Sequence, residues 1–377
     1  MAKALMVTSS FLPGRGGIES YLAELCDVLR PHVAVMAPRS RDGMTLPSDL
    51  GYATISGRGR MLRPDRRLAQ LVVRTAERLG TDRILFGTPW PLVLLGPHLS
   101  GRGLRYASLA FGAELLVPAS VPLLRDRFTR ALADADLLLP MSDFTAHRLR
   151  SLMARRGRPH PPIEVLRAHI DLDRFAPRAV PPGVRSRFGL DEEDAVILYL
   201  GRLIRRKGVH RLIHALPDLN AGVRRVTLVI AGAGPEERRL RRLAARSGGR
   251  IVFAGPVSDD DAPVLYALAD VFALPVADRW RGLETEGLGV VLLEAAASGT
   301  PCVTGRSGGT VEAVVNGTTG YIVDARKRNE LVEALNHVLA DSQRAARMGA
   351  EGRDFVTRNY PPEHVPDSLR HWLRLDE

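Results

Sequence analysis

Two glutamates, Glu286 and Glu294, frame the stretch best equipped for chemistry, with Gly287-Leu288-Gly289-Val290-Val291-Leu292-Leu293 between them. The glycines can bring bare backbone N–H groups close to a ligand, and the apolar run after them opens a helix. A helix N-terminus favours anions. Were the whole segment helical, the carboxylates would lie about 12 Å apart along its axis, near the separation of two sugars flanking a diphosphate. By spacing alone, a surface pair on an amphipathic helix explains them better. A second charged group, Arg202 and Lys207, follows an apolar run. Two fixed cations stabilise a departing diphosphate; Arg grips phosphate bidentately and Lys acts as a point charge. Arg205 and Arg206 between them read as a solvated basic turn.

Short apolar runs alternating with helical patterns must position these groups. Ala4–Val7, Val33–Met36, Tyr52–Ile55, Ile84–Phe86, Tyr106–Leu109 and Leu137–Pro140 read as strands. Helical periodicity runs from Ile18 to Leu29, Arg66 to Leu79, Val121 to Ala133 and Phe144 to Ala154. The second half repeats the alternation at Val196–Leu200, Val226–Ala231, Ile251–Phe253, Val271–Leu274 and Pro301–Thr304. Such alternation predicts an α/β chain with parallel sheets covered on both faces. Ligands of these sheets sit beyond the carboxyl ends of the strands. Gly201, Gly232, Gly255 and Glu286 all fall just after strand ends. Asn316-Gly317-Thr318-Thr319-Gly320 reads as a turn, and Pro361 to Leu375 as a helix. The Pro-rich stretch near 177–184 is the expected domain boundary.

The 377 residues suffice for two domains, with 45% hydrophobic and 25% charged residues, as in soluble globular proteins. The net charge is +11, mostly from the first half, which favours anionic partners. Arg58, Arg60, Arg63, Arg66, Arg67, Arg74 and Arg78 form the densest basic run. A solvated helix face is the preferred reading of that run; a patch for anionic membrane is the other. Few aromatics interleave with the basic residues, so no nucleic-acid partner is expected. Cys26 and Cys302 are isolated and show no zinc spacing, which fits buried thiols in the cytoplasm. No apolar run is long enough to span a membrane, and peripheral attachment to its inner face stays open. Asp134/Asp136, Asp171/Asp173 and Asp259-Asp260-Asp261 could suggest metal binding. The first pair lies at a helix end before a strand and the third group looks like a helix N-cap; with Arg202 and Lys207 available to neutralise a diphosphate, no metal is expected at any of them.

The string from Glu286 to Glu294, with its Gly299-Thr300-Pro301 exit, resembles the E-x7-E signature of retaining glycosyltransferases of family GT4. Gly201-Arg202-Leu203-Ile204-Arg205-Arg206-Lys207-Gly208 looks like that family's G-R-L-x-x-x-K-G phosphate motif. Gly16-Gly17-Ile18-Glu19 resembles its first loop. The nearest resemblance is to actinobacterial phosphatidylinositol mannosyltransferases of the PimB type. It spans nearly the whole chain, and its specific parts are Met6-Val7-Thr8, Gly16 to Leu22 and Arg281 to Gly289. It implies the GT-B fold: two Rossmann-like, doubly wound domains facing a deep cleft. Residues 1–177 would form the acceptor side and 184–358 the nucleotide-sugar domain, with 359–377 crossing back as a helix. It also implies roles. Glu286 orients the transferred sugar, Arg202 and Lys207 stabilise the leaving diphosphate, and Glu294 holds the ribose. Gly16, Gly17, Gly201, Gly232, Pro256, Val257, Gly287, Leu288 and Gly289 border the donor. Retention follows from front-face attack assisted by the leaving phosphate, with no cofactor and no protein nucleophile.

Two departures fall on the acceptor side. Where those enzymes carry H-G-H-E, this chain has Phe111-Gly112-Ala113-Glu114; where they carry P-S-G-V-D, it has Arg167-Ala168-His169-Ile170-Asp171. Phe111, Glu114 and His169 are therefore the acceptor-side candidates, His169 as a contact or as a satisfied structural histidine. The expectation is transfer of a hexose from a GDP-sugar to a small polar acceptor in specialised (antibiotic) biosynthesis. The alternatives are a GDP-mannose-dependent phosphatidylinositol mannosyltransferase at the membrane and a non-catalytic nucleotide-sugar-binding protein.

Overall fold

The computed structural model describes residues 2–375 apart from 15, 42, 43, 58, 156, 158, 221, 223 and 259. Arg58 of the basic run and Asp259 of the acidic run lie outside the described residues. The chain divides into two compact units, Met1–His169 with Glu363–Glu377, and Ile170–Pro362.

In the first unit six strands form one sheet: β1 (Ala4–Val7), β2 (Val33–Pro38), β3 (Thr54–Gly57), β4 (Arg83–Phe86), β5 (Arg105–Ala110) and β6 (Leu137–Pro140). They pair in the order β3-β2-β1-β4-β5-β6, all parallel. Parallel sheets need crossovers that cover both faces, so β1, β2, β4 and β6 are buried along their whole length. Their apolar runs pack with Val72, Tyr106, Phe128 and Leu149 in one core. Helix Arg66–Leu79 starts where the Asp65 carboxylate accepts from the Leu68 N–H at 2.8 Å and ends at left-handed Gly80. Leu68, Ala69, Val72 and Ala76 face the core, and Arg66, Arg67, Arg74 and Arg78 are exposed.

The second unit repeats the plan with β7 (Asp194–Leu200), β8 (Arg225–Ala231), β9 (Arg250–Gly255), β10 (Val271–Leu274), β11 (Cys302–Gly305) and β12 (Gly320–Val323). The order is β9-β8-β7-β10-β11-β12, again all parallel. In both sheets the order reverses beside the first strand, the arrangement of doubly wound nucleotide-binding folds. β12 is absent from the sequence reading. The Asn316–Gly320 turn exists, with the Gly317 N–H donating to the Gly320 carbonyl at 2.8 Å. The edge strand after it opens on Gly320, which the turn reading takes, and leaves only Tyr321, Ile322 and Val323 as an apolar run, half-buried at its first two residues.

The units part before Ile170, earlier than the Pro-rich stretch. Arg353 explains why. Its guanidinium donates to the carbonyls of Phe175 at 2.9 Å, Ala297 at 2.6 Å and Leu172 at 3.2 Å, which binds residues 172–175 into the second unit. The tail returns to the first unit, where Arg83 donates to the Trp372 carbonyl and Lys3 to that of Arg374. Its helix covers only Asp367–Trp372, because Pro361, Pro362 and Pro366 interrupt the expected longer one. Among the described residues no helix is long and apolar enough to cross a membrane.

Replacing Arg353 with Ala removes the charged donor from three carbonyls. We expect it to cost about 3 kcal/mol in urea unfolding of the protein; a loss below about 0.5 kcal/mol would show that Arg353 does not hold this segment.

Candidate active site

The second unit assembles its charged site from loops at the carboxyl ends of β7, β8, β10 and β11. Gly201 follows β7 and Gly232 follows β8. Gly232 takes φ 126°, and a Cβ there would stand 2.0 Å from the Gly201 carbonyl oxygen, so the two loops touch only because no side chain intervenes. The Gly232 N–H donates to the Gly255 carbonyl at 2.6 Å, which ties in the end of β9. Pro256 is exposed and Val257 half-buried in the turn beyond.

Arg205–Lys207 forms a single 3-10 turn closed by Gly208 at φ 78°. A Cβ on Gly208 would stand 2.1 Å from the Pro275 carbonyl oxygen just after β10, so glycine is required there on both counts. Arg211 donates to the same carbonyl at 3.1 Å. The turn is thereby pressed against the segment leading to Glu286. Lys207 Nζ lies 2.9 Å from Glu286 Oε2, and Arg206 Nη1 donates to that same oxygen. Arg206 Nε lies 3.7 Å from Glu284 Oε1, and Arg279 Nη1 donates to Glu284 Oε2 at 2.9 Å. Arg206 is thus no solvated turn residue. Its side chain is half-buried between two carboxylates, in contacts that join residues eighty positions apart in sequence. Arg205 is exposed and sits 3.7 Å from Glu236. Arg202 is exposed, and no described carboxylate pairs with it.

Backbone contacts fix Glu286 from behind. Its N–H donates to Ser307 Oγ at 3.2 Å, Ser307 Oγ donates to Asp278 Oδ1 at 2.5 Å, and its carbonyl accepts from the Gly309 N–H at 3.0 Å. Burial acts to raise the Glu286 carboxyl, but Lys207 and Arg206 outweigh it and hold the carboxyl below its ordinary range. Gly287 and buried Leu288 continue as loop, and Gly289 at φ 84° caps a helix that runs only from Val290 to Ala297. The segment between the two glutamates is therefore part loop, and the axial separation of an unbroken helix does not apply. Glu294 lies in the second turn of that helix, where its Oε2 accepts from the Tyr266 hydroxyl at 2.7 Å. Tyr266 is fully buried, edge-on to Phe175 and Phe272. Arg206, Glu284, Ser307 and Tyr266 escaped the sequence reading, since no local pattern shows which side chains reach these glutamates.

Gly16, Gly17, Phe111, Glu114 and His169 belong to the first unit. Gly16 precedes helix Gly17–Val28 and Gly17 is exposed. The Phe111 ring is buried and meets the Tyr21 ring edge-on at 5.2 Å. Glu114 Oε1 accepts from the N–H groups of Phe111 at 2.5 Å and Gly112 at 3.1 Å, so this carboxyl shapes the turn that carries Phe111. Burial pushes it up, against those two N–H groups. His169 is buried, stacked on Tyr21 at 6.3 Å, and its Nε2 donates to the His364 carbonyl at 2.9 Å. That bond satisfies one ring nitrogen, while Nδ1 is buried with no hydrogen-bond partner among the described residues. Burial lowers its imidazole, partly offset by that carbonyl.

The aspartates are engaged locally. Asp136 accepts from Arg105 at 2.8 Å and from the Tyr106 N–H at 2.9 Å; Asp171 caps its own turn; Asp261 pairs with Arg187 at 2.8 Å. Among the described residues no group of three metal-ligating side chains is placed to hold an ion.

The family model for glycosyl transferases group 1 matches residues 184–355. A GDP-mannose-dependent alpha-(1-6)-phosphatidylinositol monomannoside mannosyltransferase of Mycolicibacterium smegmatis is 35% identical, covering 94% of each chain. The Mycobacterium tuberculosis protein of the same name is 33% identical, covering 100% of this chain and 99% of its own. Among solved structures, Anabaena HepE in complex with UDP superposes with a TM-score of 0.81 at 21% identity, over 99% of this chain and 100% of its own.

Because Glu286 is held low in the folded state, its contribution to stability is complete above the ordinary glutamate value of 4.5 and is lost as pH falls through the lower folded value. Urea unfolding of Glu286→Gln against pH is expected to show a shallower acid loss than the native chain. Equal acid slopes in the two proteins would contradict the cation cluster.

Proposed function

The chain belongs to the group 1 (GT4) glycosyltransferases of GT-B fold, and on that premise we propose that it moves mannose from GDP-mannose to a phosphatidylinositol mannoside, with retention. The observation that carries this reading is identity of about one third along nearly the full length of enzymes named for that reaction. The similarity extends through both units, and so through the acceptor side as well as the donor side. A small polar acceptor of a specialised pathway was the expectation drawn from Phe111 and Ala113. It has no support among these relatives and gives way to the lipid acceptor. An acceptor of that kind brings the enzyme to a membrane surface, where a chain with no spanning helix among its described residues would act peripherally.

In this reading Glu286 orients the sugar, Arg202 and Lys207 take the diphosphate, and Glu294 holds the ribose. The geometry supports the division of labour. Arg202 is exposed at a strand end, Lys207 has one carboxylate among the described residues to exchange for a phosphate, and the Tyr266 hydroxyl donates to Glu294 Oε2 and orients that carboxylate. As the glycosyl bond breaks, charge grows on the diphosphate, and cations already in place stabilise it without reorganising. No metal is required for that step, because the two side chains supply the charge. Phe111 is buried against Tyr21 where the resemblance implied a histidine, and front-face attack makes no demand on a base at that position.

The test is transfer from radiolabelled GDP-mannose to phosphatidylinositol monomannoside in anionic vesicles, with soluble polyols as competitors. Lipid-linked product is expected, undiminished by EDTA; transfer to a soluble acceptor alone would refute the lipid reading. In the same assay Lys207→Ala should lower turnover and Glu294→Ala should raise the donor KM, each by roughly 1.5–3 kcal/mol for a lost charge-assisted hydrogen bond. GDP should also raise the melting temperature more than UDP at equal concentration, and the reverse order would overturn the choice of base.

A further inference from the structure

Glu286 carries two cations on one oxygen, and the two are held very differently. Lys207 meets Glu286 Oε2 at 2.9 Å, and among the described residues this is its only carboxylate. Arg206 meets the same oxygen but is also held by Glu284, which Arg279 anchors in turn. Residues 279 and 284 are further locked by paired backbone bonds, the Arg279 N–H to the Glu284 carbonyl at 3.0 Å and the Glu284 N–H to the Arg279 carbonyl at 3.2 Å. A lysine ammonium on a flexible stem can turn to a phosphate for the loss of one contact, whereas a planar guanidinium wedged between two carboxylates must break both. Both contacts fall on Oε2, so Glu286 Oε1 has no protein partner among the described residues.

We infer that Arg206 is a positioning residue: it keeps the Glu286 carboxylate ionised and aimed, with Oε1 turned to the sugar hydroxyls, when the donor diphosphate draws Lys207 away. The inference rests on the donor reading given above. Its physical need is plain. Once Lys207 is engaged by phosphate, a buried Glu286 lacking Arg206 would stand beside Glu284 with no cation of its own, and burial together with like charge would drive it to bind a proton. A protonated Glu286 would exchange an ionic acceptor for a weaker neutral one at the sugar. Arg206 is placed to prevent this because it bridges the two carboxylates that would otherwise repel. The groups facing Glu286 are Lys207 and Arg206 from the turn after β7, Tyr199 from β7 itself and Glu284 from its own loop. Asp278 stands behind Ser307. Tyr199 stays neutral, since burial pushes its phenol up and the Glu286 charge adds to that.

The experiment compares Arg206→Gln and Arg206→Lys with the native enzyme, following kcat/KM for GDP-mannose against pH and the affinity for GDP by calorimetry. Arg206→Gln is expected to lose about tenfold in kcat/KM at neutral pH, the size of one charge-assisted hydrogen bond. Its acid limb should move to higher pH, and Arg206→Lys should return the limb towards native. GDP has no sugar for Glu286 to hold, so its affinity should change by less than about twofold. An unmoved acid limb, or an equal loss of GDP affinity, overturns the inference and makes Arg206 a structural or phosphate-binding residue. A native enzyme inert towards GDP-mannose defeats the donor reading instead. In that case the Arg206→Gln, Glu286→Gln double-mutant cycle in acid unfolding decides: coupling that fades as pH falls supports the ionic restraint, and absent coupling overturns it.

Discussion

A buried carboxylate with two cations on one oxygen is the constraint around which the second unit is built. Burying Glu286 alone would make it neutral, and a neutral acid there has little to offer a diphosphate sugar. The 205–207 turn supplies the compensating charge. It reaches Glu286 only because Gly208 packs on the Pro275 carbonyl where no Cβ could fit. From behind, Ser307 and Gly309 hold the Glu286 backbone. Moving any one of these loops by an ångström would leave an unpaired buried charge, so the site and its packing stand or fall together.

That requirement explains why the chemistry gathers at one edge of the sheet. In a parallel sheet with the order β9-β8-β7-β10-β11-β12, the strands beside the reversal send their following loops to the same end. The loops after β7, β10 and β11 bring Lys207, Glu286 and Ser307 within reach of one another, although they are scattered over a hundred residues. The strands need only be apolar and short, and all the specific side chains sit beyond them.

The first unit shows how one scaffold position can change chemistry without changing fold. Its sheet has the same order, and the turn after β5 is closed by Glu114 accepting two backbone N–H groups. That closure depends on the carboxylate and the glycine, and Phe111 packs edge-on to Tyr21 as a core side chain. The position at which the resemblance implied an imidazole therefore holds an apolar ring in the core of the first unit. Similarity to enzymes named as phosphatidylinositol monomannoside mannosyltransferases runs through nearly the full length of the chain, both acceptor-side departures included.

The alternation of apolar runs and amphipathic helices determined by itself that the chain forms parallel α/β sheets, because strand burial on both faces leaves a continuous apolar signature. The strings around Gly201, Lys207 and Glu286 pointed to the enzyme family through their resemblance to its signatures, since spacing alone does not separate two such glutamates from a surface pair on a helix. The edge strand β12, the late start of the helix at Val290 and the short tail helix were decided by Gly and Pro conformations acting within a few residues. Arg206 is the instructive case. In sequence it is one of three adjacent cations with nothing to distinguish it, and an exposed turn is the natural reading. Its partners Glu284 and Glu286 arrive from another strand end, and only the packed sheet sets that distance. Tyr266 on Glu294 and His169 on the His364 carbonyl belong to the same class. Which of many equivalent side chains is desolvated, and against what charge, is a property of long-range packing, and no local pattern encodes it.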